Sequence, residues 1–284
     1  MIVITGANGQ LGRLVIQNLL KNTPAAQIVA AVRAPEKARD LAAQGITVRQ
    51  ADYNQPDTLA TAFAGATKLL LISSSEVGQR VPQHKAVIAA AKKADVKLLA
   101  YTSLLHADRS PLGLAAEHQA TEAALAESGL PHVLLRNGWY TENYLASAPA
   151  ALEHGAVLGC AQEGRIASAA RADYAAAAAA VLTAEGQAGK VHELAGDHSY
   201  TLAELAAELA RQSGKPVVYQ DMPQPAYAAA LISIGLPEGL AQMLADSDAG
   251  AARGGLFDDS HQLSQLIGRP TTTLAESVKQ TLSA

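Results

Sequence analysis

Through the first half of the chain, short apolar runs alternate with longer segments whose apolar residues recur at helical spacing. "MIVIT", "QIVAAVR", "GITVRQAD", "KLLLISS", "VKLLAYTS" and "PHVLLRN" read as strands. Between them, residues 10–21, 36–44, 56–63, 80–94 and 114–128 read as helices. Strands that are apolar on both faces and separated by helices predict a parallel sheet covered on each side, because only a doubly covered sheet hides both faces from water. The expected fold class is α/β, a doubly wound parallel sheet.

After Asn137 the pattern loosens. Glycine turns are expected near Gly155, Gly159 and Gly164, then a helix from about Arg171. Residues 190–196, "KVHELAG", read as a strand that rejoins the main sheet. Thr201 with Glu204, and Thr273 with Glu276, have the spacing of a capping box. Asp258 and Asp259 are expected at a helix start. From Gln224 onward the chain reads as helical, punctuated by proline and glycine, giving a smaller, mostly helical C-terminal lobe. The domain boundary is drawn between a 1–146 domain and a 147–284 substrate-side lobe.

Hydrophobic residues make up 49% and charged residues 17% of the 284 positions, an ordinary globular balance. A net charge of −4 gives no electrostatic reason to bind nucleic acid or an anionic membrane, and neither partner is expected. The longest apolar run, Tyr174 to Ala184, lies between Asp173 and Glu185 and falls short of the roughly twenty residues a membrane helix needs. Cys160 is the only cysteine, so it has no disulfide partner within the chain; it reads as a small buried hydrophobe, and a reducing cytoplasm is the expected compartment. No His/Asp/Cys set stands at metal spacing, and no metal is expected.

In "GANGQLG", Gly6, Gly9 and Gly12 follow a predicted strand and open a predicted helix, the context in which such a pattern signals a dinucleotide. The first glycine permits a tight turn, the second lets backbone approach a pyrophosphate, and the third lets helix and strand pack closely. The helix N-terminus then offers unpaired N–H groups to the phosphates. The GxxGxxG spacing points to the short-chain dehydrogenase branch of Rossmann proteins. About twenty residues further, where an NAD enzyme usually places an acid for the ribose, the second strand ends in Arg33. A guanidinium can fork onto a 2′-phosphate, which favours NADPH over NADH; a solvated strand-end arginine is the plainer alternative.

Together with the glycine turn, "LLISSSEVGQR", "AYTSLLHADRSPLGL", "LLRNGWYTENYLASAPAALEHG", "AARADYAAAA" and "GGLFDDS" resemble the NmrA-type atypical short-chain dehydrogenase/reductases, in particular their quinone-reducing bacterial members. The likeness extends over nearly the whole chain. It implies a Rossmann domain with a smaller C-terminal lobe, NADPH as cofactor and hydride transfer to a quinone. On this resemblance Gly6, Ala7, Asn8, Gly9, Gln10 and Leu11 cradle the pyrophosphate, Arg33 meets the 2′-phosphate, and Ser73, Ser74 and Ser75 lie beside the ribose. Asn137, Gly138, Trp139, Tyr140, Thr141 and Glu142 form the segment that closes over the nicotinamide, and Ser168 comes from a later strand. Read without the resemblance, the serines are turn residues, and Trp139 and Tyr140 can equally be core.

Short-chain reductases that act on ketones pair a tyrosine with a lysine four residues on. None of the eight tyrosines here has that lysine, and His118 on the corresponding helix is only a minor candidate acid. A quinone relaxes the demand, because hydride arriving on a conjugated dicarbonyl leaves a delocalised oxyanion that a neutral amide can stabilise. Asn143 is the expected catalytic donor, with a turn or helix-cap role as its alternative. Two functions remain open: a flavin-free NADPH:quinone oxidoreductase and an NADP(H)-sensing regulator without turnover. A homodimer is also left open.

Overall fold

The computed structural model describes residues 1–283. β1 (Ile2–Thr5) leads through the glycine turn into α1 (Gln10–Leu19) and β2 (Ile28–Val32). The alternation continues with α2 (Arg39–Ala43), β3 (Thr47–Gln50), α3 (Pro56–Ala62), β4 (Lys68–Leu71), α4 (Arg80–Lys93), β5 (Leu98–Leu104), α5 (Ala115–Ser128) and β6 (His132–Asn137). Then come α6 (Thr141–Leu145), α7 (Ala148–His154), β7 (Ala156–Gly159), α8 (Arg171–Thr183), β8 (Val191–Leu194), α9 (Leu202–Ser213) and β9 (Val218–Asp221). Four helices follow: α10 (Gln224–Ser233), α11 (Glu238–Ala251), α12 (Gln262–Ile267) and α13 (Leu274–Ser283).

Seven strands form one sheet in the order β3-β2-β1-β4-β5-β6-β8, and the pairs from β3 to β6 all run parallel. This is the doubly wound order, with its reversal between β1 and β4, where an open α/β sheet leaves a crevice at its carboxyl edge. β2 and β5 are buried at every position; β2 is an unbroken apolar run, and β5 opens as one before it reaches the buried Thr102 and Ser103. Each fully buried side chain of the kind of Phe63, Leu69 or Leu99 contributes about 1.5–3 kcal/mol by leaving water.

Residues 1–107, 116–137 and 171–192 form one compact unit, and residues 108–115, 138–170 and 193–283 a second. The sequence draws a single boundary after residue 146; the chain instead returns to the first unit for α8. The reason is a helix pair: α8 packs against α1, and both bury apolar residues, Ala175, Ala177 and Ala178 on α8 and Val15 and Ile16 on α1. The expected helix at 36–44 also divides, because Pro35 opens a 3₁₀ turn over Pro35–Ala38 before α2 begins.

The second unit holds a small parallel pair, β7 with β9, that the sequence does not reveal; four-residue strands beside glycine carry too little pattern. Both capping boxes form. Thr201 Oγ1 accepts from the Glu204 N–H at 3.2 Å while Glu204 Oε2 accepts from the Thr201 N–H at 2.7 Å, and Thr273 and Glu276 repeat the exchange. Asp258 does not start a helix: its Oδ1 accepts from the N–H and O–H of Ser260, and α12 opens later, after His261. No helix among the described residues is long and apolar enough to cross a membrane.

Candidate active site

The first unit gathers three predicted features on the carboxyl edge of its sheet. β1 ends in Gly6 at φ +57°, left-handed backbone that glycine adopts without strain, and the Gly9 N–H donates to Gly6 O at 2.9 Å to close the turn. A Cβ at Gly12 would stand 2.6 Å from Gly6 O and 2.7 Å from Ala7 Cα, so α1 begins as close to the turn as backbone allows. No side chain caps α1, whose first-turn N–H groups are left to an outside acceptor. Such a cradle, with no Cβ to fill it and unpaired donors at its rim, fits the pyrophosphate of a dinucleotide.

Arg13, which sequence reasoning passed over, clamps this turn. Its Nη2 donates to Asn8 Oδ1 at 2.5 Å and its Nε to Asn8 O at 3.3 Å, while Nη1 pairs with Asp40. The ion pair raises the Arg13 pKa and lowers that of Asp40, so both groups stay charged. The only hint in the sequence is a basic residue directly after the third glycine.

β4 ends beside β1, and the two ends are tied. Thr5 Oγ1 donates to Leu70 O at 3.0 Å and accepts from the Ile72 N–H at 3.1 Å. The Tyr53 hydroxyl reaches both Thr5 Oγ1 and Ile72 O. The serine stretch that follows is held by its backbone: the Ser73 N–H donates to Thr102 Oγ1 at 2.8 Å and the Ser74 N–H to His84 Nε2 at 2.9 Å. Because Nε2 accepts, the His84 proton sits on Nδ1 and is shared with Thr121 Oγ1 at 2.9 Å. Burial holds His84 neutral, with its pKa down to about 4. The Ser74 hydroxyl accepts from the Glu76 N–H, while Ser75 is exposed.

Arg33 stands just beyond β2, adjacent to β1, with its side chain 67% exposed. Its Nη1 donates to Glu76 Oε1 at 2.9 Å, so the arginine is paired with a carboxylate on the β4–α4 loop. At the end of β6, Asn137 is 7% exposed, and its Oδ1 is buried with no hydrogen-bond partner. An orphaned buried acceptor is costly unless a donor from elsewhere meets it. His118 proves structural: it is 5% exposed, its Nδ1 shares a proton with the Tyr101 hydroxyl at 2.8 Å, and burial lowers its pKa to about 3.

The second unit carries the remaining predicted residues. Gly138, Trp139, Tyr140, Thr141 and Glu142 lead into and open α6, and this stretch pairs with residues 168–169. The Ala169 N–H donates to Trp139 O at 3.1 Å and the Thr141 N–H to Ala169 O at 3.0 Å. Ser168 therefore lies beside Thr141, with hydroxyls 2.8 Å apart, and also 2.6 Å from the Tyr200 hydroxyl. It does not sit on a regular strand as expected, but between isolated bridges at Ile166 and Ala169. Trp139 is 8% exposed, consistent with a ring used for packing.

Asn143 lies inside α6, whose cap position is Tyr140, so the helix-cap alternative does not describe it. Its side chain is exposed and makes no hydrogen bond among the described residues, leaving the amide free to donate. The next residue, Tyr144, donates to Oδ1 of the buried Asp248 at 2.9 Å, and Asp248 Oδ2 accepts from the Cys160 N–H at 3.2 Å. Burial raises the Asp248 pKa to about 6 and pushes the Cys160 thiol up to about 12, so the cysteine is an inert filler whose Sγ donates to Ala245 O.

A doubly wound sheet with a glycine cradle at its reversal defines a nucleotide-binding oxidoreductase fold, and the NAD(P)H-binding family profile matches residues 6–185. The chain belongs to this family, in its NmrA-like branch. Among its relatives is quinone oxidoreductase 2 of Escherichia coli, 68% identical over 98% of this chain and 97% of that protein. A crystal structure of that NADPH-dependent quinone oxidoreductase in complex with NADPH superposes with a TM-score of 0.97 at 67% identity, covering 99% of this chain and 100% of the other. The triphenylmethane reductase of Citrobacter sp., complexed with NADP(H), has a TM-score of 0.95 at 42% identity, covering 99% of this chain and 100% of its own.

Proposed function

We propose that this protein is an NADPH:quinone oxidoreductase that transfers two electrons in one step, without flavin, in the cytoplasm. The observation that carries the reading is the 68% identity, over nearly the full length of both chains, to a protein named for that activity. Its own residues supply the matching chemistry. In this reading the backbone from Gly6 to Leu11 holds the pyrophosphate, and Arg33 forks onto the 2′-phosphate. Ser73, Ser74 and Ser75 border the ribose, and Asn137 Oδ1 gains the donor it lacks. Residues 138–142 and Ser168 shape the nicotinamide end and keep water from it.

When bound, NADPH supplies the hydride, and with one proton from solvent the quinone becomes hydroquinone and the cofactor NADP⁺. The protein's part is to orient the reactants and exclude water, which is where a reaction with a delocalised product anion gains its rate. Asn143 donates its amide N–H to the oxygen on which charge develops. A neutral donor suffices there, which fits a chain with no tyrosine and lysine pair at the required spacing.

Purified protein mixed with NADPH and a simple benzoquinone should consume cofactor well above a protein-free blank. Consumption at the blank rate would remove the enzyme reading and leave the NADP(H)-sensing one. Arg33→Ala should weaken NADPH by about 10- to 100-fold, the worth of charge-assisted hydrogen bonds to one phosphate, and leave NADH nearly unchanged. Equal losses for both cofactors would mean that the guanidinium does not meet the phosphate.

A further inference from the structure

The arginine proposed to recognise the 2′-phosphate is already engaged. Arg33 Nη1 donates to Glu76 Oε1 at 2.9 Å, whereas its Nη2 and Nε make no hydrogen bond among the described residues. The carboxylate is the better anchored of the two partners. Its Oε2 accepts from Gln83 Nε2 at 2.7 Å; Gln83 is only 3% exposed and also donates to Asn54 Oδ1 at 3.1 Å. The Glu76 backbone N–H is fixed by Ser74 Oγ at 3.1 Å. Apart from Arg33 itself, the carboxylate keeps its Oε2 bond to Gln83 and its backbone bond to Ser74, and so stays in place when the arginine, 67% exposed, moves.

We propose that Glu76 sets the NADPH affinity downward: it occupies one edge of the Arg33 guanidinium and keeps a negative charge next to the position of the 2′-phosphate. This rests on the assignment of Arg33 to that phosphate. The phosphate brings a charge of about −1.5 to −2, so its approach to the arginine is also an approach to a carboxylate of like sign. The Arg33–Glu76 pair is solvent-exposed and contributes little to folding, so removing its charge leaves the fold intact. NADH has no 2′-phosphate and does not meet this charge. Glu76 therefore lowers retention of the phosphorylated cofactor alone, which eases exchange of spent NADP⁺ for NADPH at some loss of selectivity.

The test is Glu76→Gln, which keeps an oxygen for Gln83 and removes the charge, with dissociation constants for NADPH and NADH measured by calorimetry. NADPH should tighten by about 3- to 10-fold, as expected for one like charge at a few ångströms in a solvent-exposed site, and NADH should not change. The gain should shrink in high salt and in an Arg33→Ala background. Weaker or unchanged NADPH binding in Glu76→Gln, with Arg33→Ala still selective against NADPH, would overturn the proposal and make Glu76 an orienting group or a bystander. If Arg33→Ala weakens both cofactors alike, the assignment of Arg33 itself has failed, and this inference falls with it.

Discussion

Replacing Asp248 with asparagine should change how stability depends on pH, and the structure gives the size of the change. Asp248 is 3% exposed, and its two oxygens accept from the Tyr144 hydroxyl and the Cys160 N–H. No lysine or arginine pairs with it among the described residues. The negative charge of Asp221 raises the pKa of Asp248 further. Its pKa of about 6 in the folded protein lies above the roughly 3.9 of an unfolded aspartate, so the native state is the better proton binder. The stability this group contributes is fully present below about pH 4 and is lost as pH rises through about 6. Two units at about 1.4 kcal/mol each give a loss of about 3 kcal/mol. Asparagine cannot ionise, yet its amide can accept from the Cys160 N–H and donate to the Tyr144 oxygen. Urea unfolding of the two proteins from about pH 4.5 to 7.5 should therefore show Asp248→Asn gaining about 2 kcal/mol on the parent as pH rises, the rest of the loss falling below that window. Parallel curves, with a difference flat to about 0.5 kcal/mol, would refute the claim that Asp248 ionises at a cost inside the folded protein.

Two further substitutions probe the site. Gly12→Ala places a methyl 2.6 Å from Gly6 O, a backbone atom that cannot step aside, so α1 must shift at a cost of about 1–3 kcal/mol. A lowered Tm together with weaker NADPH binding is expected, and parental values for both would deny that this contact shapes the cradle. Asn143→Ala removes an exposed side chain and should leave stability within about 0.5 kcal/mol, while turnover falls by about tenfold or more at unchanged NADPH affinity. Undiminished turnover would strip Asn143 of its role as donor.

The sheet was legible because its physics is local. Residues apolar on both faces, such as those of β2, admit few arrangements besides a covered parallel sheet, and Gly6 and Gly12 are demanded by the local backbone of the turn, one by its positive φ and the other by close approach. What stayed hidden depends on partners far apart in sequence. Nothing near Arg33 announces Glu76, 43 positions away, and nothing near Ser74 announces the ring of His84 that fixes its N–H. The second unit was read least well. β7 and β9 are four residues each, and α6 and α7 are only five and seven, so no window is long enough to display a period. The return of α8 to the first unit was invisible for a different cause: an alanine-rich helix buried on most sides has almost no polar face from which to read its orientation.

Trp139 is the chain's single indole, seated within the stretch that pairs with Ala169 and shielded from solvent. With excitation at the red edge, where the eight tyrosines absorb little, its emission arises from one address. A rearrangement of residues 138–142 that alters the surroundings of the indole will register as a change in wavelength or intensity. The molecule thus carries its own optical gauge at the segment where one is most wanted, and no label need be attached.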